Sequence, residues 1–139
     1  MKKVIYLLST LLLLSLTQCK KDSSASLSLE RKLTGKWLYT GSSGGIDGRI
    51  QAADSSSPVV LEFKNNLAFV KTENGVVKAQ GTYKLLKAHS IYSGKEEDAI
   101  LFNDKEGQMN NNFIINVDGD KLSIADNFYD GYTQGFKRP

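Results

Sequence analysis

Cysteine, tryptophan and histidine each occur once in these 139 residues, and proline occurs twice. A lone cysteine excludes a disulfide within the chain. A lone histidine, His89, excludes a metal site built on paired imidazoles, and in its polar surroundings it reads as a solvated ring. No run of Lys and Arg makes a basic patch, so nucleic acid is not an expected partner. No G-x-S-x-G elbow, Cys/His pair or Walker loop is present, so no catalytic constellation supports an enzyme and no cofactor is expected. The one long apolar run, Val4 to Leu16, is interrupted by Ser9, Thr10 and Ser15. It falls short of the roughly 20 residues that span a bilayer.

That run follows Lys2 and Lys3, which gives the charged start and apolar stretch of a secretory leader. What ends it is Leu16-Thr17-Gln18-Cys19. This sequence resembles the lipobox of bacterial lipoproteins, with Gln18 where a Gly, Ala or Ser is usual. The resemblance implies a leader over 1–18, an acylated Cys19 as the first mature residue, and a membrane partner through its lipid. A plain secretory leader is the alternative. Two or more acyl chains hold stably where one holds marginally, at about 0.8 kcal/mol per buried CH₂. Residues 19–28 are polar and Ser-rich and read as a flexible tether. Without Lys2 and Lys3 the 18 basic residues become 16, against 15 acidic ones. The expected address is the bacterial cell envelope, at the outer membrane.

From Leu29 to Pro139 the chain reads as one domain. Ser28 to Leu33 suit a short helical turn with Leu29 and Leu33 on one face. Thereafter apolar residues recur at every second position. One buried phase takes Val59, Leu61 and Phe63, then Leu67 and Phe69, then Val77, Ala79, Gly81, Tyr83 and Leu85. It continues through Ile100 and Phe102, then Phe113, Ile115 and Val117, then Leu122 and Ile124, and last Tyr132, Gln134 and Phe136. Period two means strands with one dry face. Asn65-Asn66, Glu73-Asn74-Gly75, Asp104 to Gly107 and Asp118-Gly119-Asp120 are turn sequences between them. The expected fold is all-β, an up-and-down antiparallel barrel of about eight strands, since closure removes exposed edges. A two-sheet sandwich is the alternative. Gly41 to Pro58, with a brief strand at Gly48 to Gln51, and Ala88 to Asp98 read as long links, where binding often sits.

Gly35-Lys36-Trp37 at the start of the first strand resembles the first motif of the lipocalins. Gly135-Phe136-Lys137-Arg138 after the last strand resembles the end of the same pattern. The resemblance implies a barrel whose floor is closed by Arg138 packed over Trp37. Independently, Arg138 lies two residues beyond Phe136 and shares its inward side. An inward guanidinium needs a partner, and stacking on an indole contributes roughly 0.5 to 2 kcal/mol. The family's T-D-Y motif is absent. The domain looks more like the compact lipocalin-like domains of Gram-negative envelope lipoproteins.

The expected function is a membrane-tethered binding module for a small apolar or amphipathic ligand. The alternative is a filled barrel that meets another envelope protein through its loops. The candidate ligand-lining residues are Tyr39, Phe69, Ala79, Gly81, Tyr83, Phe102, Phe113, Tyr132 and Gln134. So many rings imply a crowded interior with any pocket near the open mouth. Asp126 to Gly131 offers oxygens for calcium, but its spacing is not that of an EF-hand. It reads better as a loop that caps its own backbone.

Overall fold

The computed structural model describes residues 28–104 and 112–139. The leader, Cys19 and all but the last residue of the tether lie outside them, as does most of the turn at Asp104 to Gly107. Helix α1 covers 28–33. Nine strands follow: β1 (Gly35–Gly44), β2 (Arg49–Ala52), β3 (Val59–Phe63), β4 (Ala68–Glu73), β5 (Val76–His89), β6 (Glu96–Asp104), β7 (Phe113–Asp118), β8 (Lys121–Asp126) and β9 (Tyr132–Lys137).

All pairings are antiparallel, in the order β2-β1-β3-β4-β5-β6-β7-β8-β9, and β9 returns to pair with β1. That return closes an eight-stranded barrel and rules out the sandwich. β2 is additional. The first half of β1 pairs with β3, from Gly35↔Phe63 to Leu38↔Val60, and its second half pairs with β2, from Gly41↔Ala52 to Gly44↔Arg49. One edge of β1 therefore serves two partners in succession, while its other edge carries β9 from Leu38↔Lys137 to Gly44↔Tyr132.

Gly41 to Pro58 is thus largely a hairpin. Its Gly/Ser composition hides the strand, because the order comes from backbone bonds on both edges and not from side chains. Gly41 sits at a bulge with φ +143°, and a Cβ there would run into the carbonyl of Gln51. Only glycine admits so close a neighbour. The second expected link is also shorter. β5 runs through His89 and β6 starts at Glu96, leaving 90–95 between them.

The buried phase forms the barrel's core: Leu61, Phe63, Phe69, Tyr83, Ile100, Phe102, Ile115, Leu122, Ile124 and Phe136, with Leu29, Leu33 and Trp37 beneath. Burying each large apolar side chain is worth about 1.5–3 kcal/mol. Three expected members differ. Leu67 lies in the turn before β4 with φ 58° and is exposed. Val77 is half exposed because the register slips between Lys71↔Ala79 and Thr72↔Val77, so Lys78 is the extra residue and the alternation is broken there. Tyr132 keeps the inward register but stands at the rim, half exposed.

A second, smaller cluster holds Ala88, Ala99 and Ile114 with Leu86 and Ala125 against them. The register Leu86↔Ala99↔Ile114↔Ala125 alternates with the inward row Leu85↔Ile100↔Phe113, so this cluster lies on the outer face. Near it the 127–130 loop meets the 90–95 link. Asn127 accepts from the Ile91 amide at 3.0 Å and donates to the His89 carbonyl at 2.9 Å, and the Tyr92 hydroxyl donates to the Phe128 carbonyl at 2.8 Å.

Candidate functional site

The base of the barrel is built from both ends of the domain. α1 leaves its last carbonyls without intrahelical partners. Those of Lys32 and Leu33, and that of Thr34 just beyond the helix, find side-chain donors. Trp37 Nε1 donates to the Leu33 carbonyl at 2.6 Å, Arg138 Nη2 to that of Lys32 at 2.6 Å, and Arg138 Nη1 to that of Thr34 at 2.8 Å. The guanidinium lies over the fully buried Trp37 indole, with Cζ 3.9 Å from the ring centroid. Gly35 has φ +116°, and a Cβ on it would strike the Arg138 guanidinium. The glycine of Gly35-Lys36-Trp37 is the space through which the cation reaches the ring.

Above the base a ladder of rings crosses the interior. Phe63 meets Tyr83 edge-on with centroids 5.1 Å apart and stacks on Phe102 at 6.1 Å. Phe102 in turn meets Phe69 at 4.8 Å and Phe113 at 5.8 Å. Such pairs contribute about 0.5–1.5 kcal/mol each beyond their area. Burial pushes the Tyr83 phenol up to about 12, helped by the negative charge of Glu30.

Over this ladder, toward the mouth, lies a cavity of about 130 Å³ lined by Leu61, Phe69, Lys71, Ala79, Phe102, Phe113, Ile124, Gln134 and Phe136. Its floor and walls are apolar. Its two polar groups are Lys71, one inward position above Phe69, and Gln134, one above Phe136. The register Leu61↔Lys71↔Ala79 places the lysine in an inward row between two apolar neighbours. Among the described residues no carboxylate lies within 4.0 Å of its ammonium; the ion pairs are Arg49–Asp47, Lys78–Glu73, Lys87–Asp98 and His89–Glu96.

Of the residues singled out from the sequence, Phe69, Ala79, Phe102, Phe113 and Gln134 line this cavity and Tyr39, Gly81, Tyr83 and Tyr132 do not. Tyr39 packs against Phe136 with centroids 5.5 Å apart. Gly81 stands opposite Phe69 in the register. Tyr83 belongs to the ladder below, and Tyr132 lies above, its hydroxyl beside Gly45. Leu61, Lys71, Ile124 and Phe136 line the cavity without having been singled out. The signal for Lys71 was its place two residues after Phe69, in the same phase.

A wider groove of about 410 Å³ runs over the outer face between Thr40, Asn116, Asp118, Lys121, Ser123, Gly135 and Lys137. It is open, and with Leu122 and Phe136 also in its wall its lining is more apolar than polar. In the Asp126 to Gly131 loop, Asp126 accepts from the Tyr132 amide at 2.8 Å, and Asn127 is used in the contacts to the 90–95 link. Among the described residues no group of three or more His, Cys, Asp or Glu is placed to hold a metal ion. His89 Nδ1 stands 4.0 Å from Glu96 Oε1, both side chains exposed on adjacent strands.

Set against family models, curated proteins and solved structures, the chain matches none. The closed eight-stranded antiparallel barrel fits a calycin-like fold and is compatible with a ligand-binding module.

Proposed function

We propose that this protein is a lipocalin-like lipoprotein, held on the envelope membrane through Cys19, whose barrel binds a small apolar or amphipathic molecule without transforming it. The observation that carries the reading is the apolar cavity with two polar groups at its upper edge. Binding sites are commonly apolar with a few placed polar groups. The size bounds the ligand. An engineered cavity of about 150 Å³ takes up benzene, so about 130 Å³ suits a single ring or a short branched chain and is too small for a long acyl chain.

The test uses the full chain in phosphatidylcholine nanodiscs and methyl NMR of Leu61 and Ile124. Toluene should shift these methyls in the wild type and not in Ala79→Phe, which fills the space. Absence of a shift in the wild type would refute binding. For the anchor, Cys19→Ser should release the protein from membranes, and persistent attachment would refute acylation.

A second reading, a protein-interaction module, is favoured by one feature. Ile46 and Ile50, on the β1–β2 hairpin, are 90% and 87% exposed. Ile46→Ser with Ile50→Ser should abolish capture of an envelope partner if that reading holds.

A further inference from the structure

The cavity contains a charge that the barrel itself leaves unanswered. Lys71 turns inward on β4 between Leu61 and Ala79, and among the described residues it has neither an ion pair nor a hydrogen bond to protein. A cation beside an apolar space loses hydration and gains most from an opposite charge brought by something else. The other polar group of the lining, Gln134 on β9, carries amide hydrogens suited to an oxygen acceptor. Both border the cavity together with Phe102, Phe113 and Ile124, which are apolar.

We infer that the ligand is a small organic carboxylate, with its ring or branched chain among these apolar residues and its anionic end paired with the Lys71 ammonium beside the Gln134 amide. The inference rests on the binding reading above and narrows it to one chemical class. The lysine acts as a selector. A neutral analogue of the same shape fits the space and forfeits the charge-assisted bond. A cationic analogue meets a like charge.

Benzoate, benzamide and benzylammonium test this, with toluene as the probe of the cavity itself. The protein is the full chain in phosphatidylcholine nanodiscs, and the readout is the shift of the Leu61 and Ile124 methyls. Benzoate should bind about ten- to a hundredfold more tightly than benzamide, the range of a hydrogen bond to a charged group, and benzylammonium most weakly. Lys71→Met keeps the length of the side chain and should remove the preference for benzoate over benzamide. Lys71→Arg should restore much of it. If the wild type binds toluene yet takes benzoate no better than benzamide, the carboxylate inference fails and the binding reading stands. The same holds if Lys71→Met leaves the preference intact. If toluene also fails to bind, the binding reading itself falls.

Discussion

At the base of the barrel the Trp37 indole and the Arg138 guanidinium donate to the carbonyls of Lys32, Leu33 and Thr34 at the end of α1. At the mouth, Lys71 and Gln134 border an apolar space with no protein partner among the described residues. Both ends place a cation on the inward side of the same sheet. The difference lies in what surrounds it. A planar guanidinium over an indole, serving two carbonyls, is a closed structural unit. A flexible ammonium beside a void is an unfinished one. Local consistency is expected where a chain serves its fold, and departures from it where a chain serves a ligand.

Substitutions at the two ends should therefore move stability in opposite directions. The largest effect is expected for Trp37→Ala, which empties the floor and should lose about 3–5 kcal/mol in urea unfolding. A loss below about 1 kcal/mol, the size of an ordinary substitution, would deny the base its structural role. Arg138→Ala removes the stack and two charge-assisted bonds and should lose about 2 kcal/mol. Arg138→Lys should recover little, because an ammonium cannot hold two carbonyls in a plane while lying on the ring. Ala79→Leu, at the mouth, should instead gain about 0.5–1 kcal/mol by filling space, while toluene binding disappears. A loss there as large as at the base would erase the contrast between the ends.

The smallest effect needs alkaline pH. Tyr83 has a phenol held at about 12 in the fold, above its ordinary value near 10. The folded form keeps a proton that the unfolded form releases. Its contribution is complete below pH 10 and lost as pH rises toward 12. Tyr83→Phe should flatten the stability profile across that window, and an unchanged slope would place the phenol in water.

Which face each residue occupies could be read from the sequence at β3, β7 and β8, where Leu61, Ile115 and Ile124 each have one polar neighbour, Glu62, Asn116 and Ser123. How deep each residue sits could not. Tyr132, Gln134 and Phe136 share one phase on β9, yet they reach the rim, the cavity edge and the core respectively. Alternation reports the side of a sheet and carries no coordinate along the barrel axis. Lys71 escaped notice for a related reason. A lysine in an alternating strand reads as part of the wet face, and only its distance from Phe69 says otherwise. β2 and the far half of β1 were faint because Gly41 to Gly45 show no side-chain periodicity and are ordered by partners distant in the chain. The glycines of turns such as Asn74-Gly75, with φ 52° and 75°, were by contrast plain.

One feature of the base bears on how the molecule forms. The bonds from Arg138 to Thr34 and Lys32 bridge 104 and 106 positions of chain. Hairpins such as β7–β8 need only short loops, whereas uniting β9 with β1 must overcome the closure entropy of nearly the whole domain. The seam is therefore expected to knit late, after the transition state, so weakening it should hasten unfolding and leave the refolding rate almost untouched. Arg138 in that case sets the lifetime of the native molecule far more than the speed of its making.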